Sequence, residues 1–168
     1  MPTTDTLLSL AEISAAFAGF AALVSALKRS SDRAGEAIHD LLRLRLVISS
    51  AVAGVVAALL PVGLAGFGID GSLLWRLAAF DNGVIISFAR ADRPGRRVIK
   101  PDQLAMSIVS ILELVEQSCL IVVVVGLSID NAPALYVTAL IANISQAGFI
   151  FVRFVGSTFS HEHELDGH

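Results

Sequence analysis

Charge is what this chain most conspicuously lacks. Only 16% of its 168 residues are Asp, Glu, Lys or Arg, against about 25% in soluble domains, too few to coat a water-facing surface. Basic residues are not in surplus, since 12 Lys and Arg stand against 15 Asp and Glu for a formal net charge of -3. With no excess of cations to meet phosphates, no nucleic-acid partner is expected. A single cysteine, Cys119, excludes a disulfide-stapled secreted fold and reads as a small core residue. Disorder is excluded by what is abundant, a 55% hydrophobic content that disordered segments do not reach. These absences leave an integral membrane protein with the lipid bilayer as its surroundings.

Catalytic chemistry is also missing. No histidine falls in an apolar stretch: His39 lies in a link, and His161, His163 and His168 lie near the C-terminus. A Ser-His site within the membrane would therefore have no base. No P-loop and no G-x-G-x-x-G fingerprint occur. The fragment HEHELDGH offers His161 and His163 beside Glu162 and Glu164, which suits weak metal binding at most and reads as a mobile tail over 158–168. The expectation is a non-enzyme with no cofactor and no metal site.

A helix needs about 20 mostly apolar residues to cross about 30 Å of hydrocarbon. Five segments qualify, at about 6–27, 44–67, 72–89, 104–129 and 134–155, predicting an all-α transmembrane bundle over 1–157. The third holds Arg76, Asp81 and Asn82, and charges at a helix centre cost roughly 2.5 to 3.5 kcal/mol each. The alternative is four spans plus one re-entrant or interfacial segment. Basic residues favour five. The links from Lys28 to Arg45 and from Arg90 to Lys100, with Arg153, place eleven of the 12 Lys and Arg on one side and leave only Arg76 near the other. The positive-inside rule then puts the N-terminus outside and the C-terminus in the cytoplasm. The first span reads as uncleaved, because no Lys or Arg precedes it. The first link reads as a short surface helix, and the second, ADRPGRRVIKPDQ, as topology control with an attraction for anionic headgroups.

Helix association in lipid relies on close contact and polar bonding. Ala15 with Gly19 and Ala18 with Ala22 and Ala26 in the first span match Ser50, Gly54 and Ala58, and Ala53 and Ala57, in the second, predicting a tight pair, or else a face for another copy. Pro61, with Gly63, Gly66 and Gly68, is expected to bend or fray the outer end of the second helix.

Polar residues recur at helical spacing. Ser107, Ser110, Glu113 and Gln117, flanked by Glu116, form one stripe, and Tyr136, Asn143, Gln146 and Arg153 another. Both are expected to face the bundle interior, because lipid penalises them. At 1.5 Å per residue, Glu12 lies about 9 Å below the outer end of its span and Arg76 about 6 Å below the start of the third. Glu116 falls in the outer half of the fourth, so the three are expected to meet, with Arg76 as charge partner, while Asp81, Glu113 and Asn143 lie near the midplane. One arginine cannot neutralise four acids, so one or two carboxyls are expected to be protonated or paired with a cation. This predicts a proton or ion pathway through Glu12, Asp81, Glu113, Glu116, Asn143 and Gln146. The competing reading is a hydrogen-bonded network that only fixes packing.

LAEISAAFAGFAALVSAL from Leu10, WRLAA from Trp75 and QAGFIFVRFV from Gln146 resemble segments of small multi-pass bacterial inner-membrane proteins. The resemblance implies a bacterial inner-membrane location and a multi-pass helical fold, and it carries over no activity or site. The functional expectation is a small homo-oligomeric channel or transporter-like protein for protons or small cations. Its alternative is a non-catalytic accessory or sensor subunit docked on a partner membrane subunit.

Overall fold

A computed structural model describes residues 4–28, 37–91 and 103–165. Five helices follow in order, α1 (Thr4–Lys28), α2 (Ala37–Gly66), α3 (Gly71–Ala91), α4 (Gln103–Val125) and α5 (Ala132–Leu165). The chain is all-helical over the described residues, as expected. Thr4–Val24, Val47–Gly66, Ser107–Val125 and Ala132–Arg153 are long and apolar enough to cross a membrane. The helix α3 has the length, with 21 residues or about 31 Å, but Arg76, Asp81 and Asn82 keep it less apolar than the other four. It is one unbroken helix with no re-entrant turn.

Several boundaries differ from those read in the sequence. The helix α2 begins at Ala37, so part of the first link continues the second span instead of forming a separate surface helix. The helix α5 runs on to Leu165, into the segment read as a tail, since neither Gly nor Pro interrupts Ser157 to Leu165. Residues 29–36 and 92–102, which carry much of the expected inward positive charge, lie outside the described residues.

The helix α4 stops at Val125, short of Ile129, because Gly126 turns the chain with φ of 80°. Leu127 N–H donates to Val122 O at 3.2 Å and Gly126 N–H to Val123 O at 3.1 Å, the paired bonds of a Schellman motif. Gly68, with φ of 79°, closes α2 in the same way through Ile69 N–H to Leu64 O and Gly68 N–H to Ala65 O. Only a residue without a Cβ reaches this backbone region at little cost.

Pro61 stands inside α2 without ending it. A proline has no N–H, so the carbonyl four residues earlier, that of Ala57, lacks its helical donor. The Tyr136 hydroxyl supplies the missing bond from α5 at 2.6 Å, and the helix continues to Gly66.

Helices α2, α3, α4 and α5 pack in a ring, each against the next, with α3 also reaching α5. The helix α1 lies outside the ring against α2 and α5, and among the described residues makes no contact with α3 or α4. The core joins Leu7, Leu10 and Ala11 of α1 to Ala57 and Ala58 of α2, Leu120 and Val123 of α4, and Tyr136 and Leu140 of α5. The expected α1–α2 pair is the most extensive contact in the molecule, but a different face of α1 makes it. Leu7, Ser14 and Ala21 are buried, whereas Ala15, Gly19 and Ala22 are exposed, and nothing lies within 4 Å of where a Gly19 Cβ would stand. On α2 the small residues do face inward, and Ala57 and Ala58 are fully covered. Large apolar side chains such as Leu8, Phe20, Val52, Phe80, Leu114 and Val152 cover the exterior, an outer surface suited to lipid.

Candidate functional site

The chemistry-bearing side chains gather at mid-depth. Depth can be measured from the end of the bundle where α1, α3 and α5 begin and α2 and α4 finish. At 1.5 Å per residue, Glu116 lies about 14 Å from that end, Ser14 about 15 Å, Asn82 and Asn143 about 17 Å, and Gly54 about 18 Å. All fall near the middle of a hydrocarbon core of about 30 Å.

Glu116 anchors one half of this layer. It is 1% exposed, and its Oε2 accepts a hydrogen bond from Gln146 Nε2 at 3.2 Å, tying α4 to α5. Gln146 is itself buried. The geometry follows from local sequence: Glu116, Leu120 and Val123 recur at steps of four and three, which places them on one face of α4, and that face is the buried one.

The other half lies between α1, α2 and α5. Ser50 Oγ donates to Asn143 Oδ1 at a long 3.4 Å. A Cβ at Gly54 would stand 2.9 Å from Ser14 Oγ and 3.6 Å from Asn143 Oδ1, so the glycine is what lets both polar groups approach the α2 backbone. Asn143 and Gln146 are three residues apart on α5 and therefore share a face, which links the two halves. Ser14 Oγ and Asn82 Nδ2 are buried and find no hydrogen-bond partner among the described residues.

The residues singled out from sequence are thus only partly brought together. Glu116 joins Gln146 directly, and Asn143 joins Ser50. Asp81 and Glu113 are half-buried on α3 and α4. Glu12 is exposed on α1, and because α1 does not touch α3 or α4, the expected meeting of Glu12 with Arg76 and Glu116 does not occur within one protomer. Arg76 is exposed and directs its Nε to Val124 O at 2.9 Å, against the last turn of α4. A helix C-terminus carries unpaired carbonyls and partial negative charge, so it draws the guanidinium that the sequence reading assigned to a carboxylate.

The fourth-span stripe also turns out differently, with Ser107 and Ser110 exposed and Glu113 and Gln117 half-buried. Ser107 Oγ satisfies itself on Gln103 O, one turn back, so lipid does not force it inward. Ser14 was not among the expected site residues. Its signal was the seven-residue repeat Leu7, Ser14, Ala21, which marks the buried face of α1. Comparison of the chain with family models, with characterised proteins and with solved structures yields no match.

Proposed function

We propose that this chain is an integral membrane protein that handles protons or small cations through its mid-depth polar layer, with Glu116 as the exchanging group. In this reading α3 is a fifth crossing, the N-terminus is outside, and the bacterial inner membrane is the location. The observation that carries it is the burial of Glu116, a carboxyl 1% exposed and hydrogen-bonded to Gln146 at the depth where an ionisable group is most costly. A side chain kept only to accept the Gln146 bond would serve equally as Gln. Ser14, Asn82 and Asn143 lie at similar depth, and Ser50, a turn further along α2, reaches Asn143; together they supply hydroxyl and amide groups for a proton or a partly dehydrated cation. Asp81 and Glu113, half-buried on α3 and α4, lie at about 15 and 18 Å by the same measure and add two carboxyls to this layer.

The test is purified protein in liposomes carrying a lumenal pH dye, with a proton gradient imposed across the bilayer. Wild type dissipates the gradient faster than empty liposomes, and Glu116→Gln returns the rate to that of empty liposomes. Equal rates for wild type and Glu116→Gln would remove the reading.

One observation favours a second reading, a non-catalytic accessory subunit. Glu12 points away from its own bundle, as a residue that meets another chain would. Absence of flux together with a fixed co-purifying partner would support that alternative.

A further inference from the structure

Glu12 occupies the side of α1 that the protomer leaves bare. Successive helical residues are about 100° apart, so Glu12 lies roughly opposite Ser14 and the buried line of Leu7 and Ala21. Its neighbours on that side are Ala15, Ala16 and Gly19, all exposed. Small residues let another helix backbone come close, and a carboxylate about 12 Å into an apolar helix needs a donor or a cation.

The complementary surface is on the far side of the molecule. A groove of about 500 Å³ runs between α3 and α4, floored by Ala79, Gly83 and Leu120 and lined by Gln117 and Val124. Arg76 stands beside it, exposed, with its Nε on Val124 O; a guanidinium has five N–H donors. Gln117 Nε2 is buried beneath the groove surface and finds no hydrogen-bond partner among the described residues. Depth matches as well. Glu12 is eight residues from the start of α1 and Gln117 eight from the end of α4, so both lie about 12 Å from the same end of the bundle, with Arg76 at about 8 Å.

We propose that α1 of one copy docks in the α3–α4 groove of the next, where its Glu12 meets Arg76. The occupant is a second copy because charge and depth complement each other across two faces of one chain: an exposed acid on α1 with no cation beside it among the described residues, and an exposed cation at the groove. Such a contact is head-to-tail, so repetition closes into a ring where the rotation allows. The pairing of Glu12 with Arg76 that topology prevents within a protomer is then made between protomers. This interface stands independently of proton handling, and its test reads assembly alone.

In a Cys119→Ser background, Ala15→Cys combined with Gly83→Cys pairs two positions about 17 Å from the same end. Oxidation in native membranes should give disulfide-linked dimers and higher multimers from the double variant and none from either single variant. Crosslinking by Ala15→Cys alone would mean that α1 packs on α1 of its neighbour, and absence of crosslinking in the double variant would mean no such seam; either result overturns the proposal. Glu12 is exposed on the protomer, and Glu12→Gln should weaken association about tenfold, read as oligomer mass in detergent. Glu12→Arg and Arg76→Glu should each dissociate the assembly, and the two together should restore it. An unrelated chain that co-purifies with wild type and is lost in Glu12→Gln would assign the face to another partner and overturn it too.

Discussion

The Tyr136 hydroxyl donates to the Ala57 carbonyl at 2.6 Å, the one carbonyl of α2 that Pro61 deprives of its helical donor. Two residues read for unrelated reasons, a proline as a helix breaker and a tyrosine as part of a polar stripe, are therefore halves of one device. Trp75 of α3 holds the tyrosine ring in place, with ring centroids 5.6 Å apart and planes at 55°, so three helices meet at the proline.

Tyr136→Phe removes the donor and leaves a buried carbonyl unsatisfied, at a cost of about 1–3 kcal/mol. Pro61→Ala returns the backbone donor to Ala57. In that background the same tyrosine substitution should cost less than about 1 kcal/mol. Reversible unfolding of the four proteins in mixed micelles measures the cycle, and additive costs would refute the link.

Gly54 sets the distance between α1 and α2. Gly54→Ala puts a Cβ 2.9 Å from Ser14 Oγ, and the overpacking should destabilise the bundle by about 1–3 kcal/mol. Ser14→Ala removes the opposing hydroxyl, which has no hydrogen-bond partner among the described residues, so the double variant should recover most of that loss. Thermal unfolding of the two single variants and the double variant checks this.

Arg76 fastens the end of α4. Arg76→Met withdraws the Nε–H from Val124 O and removes a favourable charge at a helix C-terminus, for a loss of about 1 kcal/mol. The effect should be local. Hydrogen exchange at the amides of Val125, Gly126 and Leu127 should accelerate in the variant, while amides near Glu116 stay as protected as in wild type.

Much of the architecture was legible because lipid imposes a simple rule, about 20 apolar residues per crossing. That rule located four apolar spans and the extent of α3. It does not say which way a helix turns its faces, and here the reading failed in particular places. Spacing alone leaves Ala15 and Gly19 open to α2 or to another copy, and the seven-residue line through Ser14, not these two, takes the inner face of α1. Small residues mark where a backbone can be approached, whichever chain approaches it. Side-chain charges alone pair Arg76 with a carboxylate, but its Nε meets Val124 O instead. The carbonyls at the end of α4 also accept from a guanidinium, and they appear only once the helix ends at Gly126. Glu116 and Gln146, by contrast, were both expected to face inward, and both do.

The Glu116–Gln146 pair separates a structural role from a transport role. Gln146 Nε2 donates to Glu116 Oε2 at 3.2 Å, and an amide oxygen accepts that bond as a carboxyl oxygen does. Glu116→Gln should therefore keep the α4–α5 contact and change stability by less than about 1 kcal/mol, whereas Glu116→Leu leaves the Gln146 amide buried without an acceptor and should cost about 1–3 kcal/mol. If packing were the whole role of Glu116, flux would follow stability, retained in Glu116→Gln and reduced only in Glu116→Leu. A group that must bind and release a proton loses flux in both, because an amide cannot exchange one at this position. Measuring unfolding and proton flux on the same two variants distinguishes the cases. Flux retained in a stably folded Glu116→Gln would move the exchanging role away from this residue.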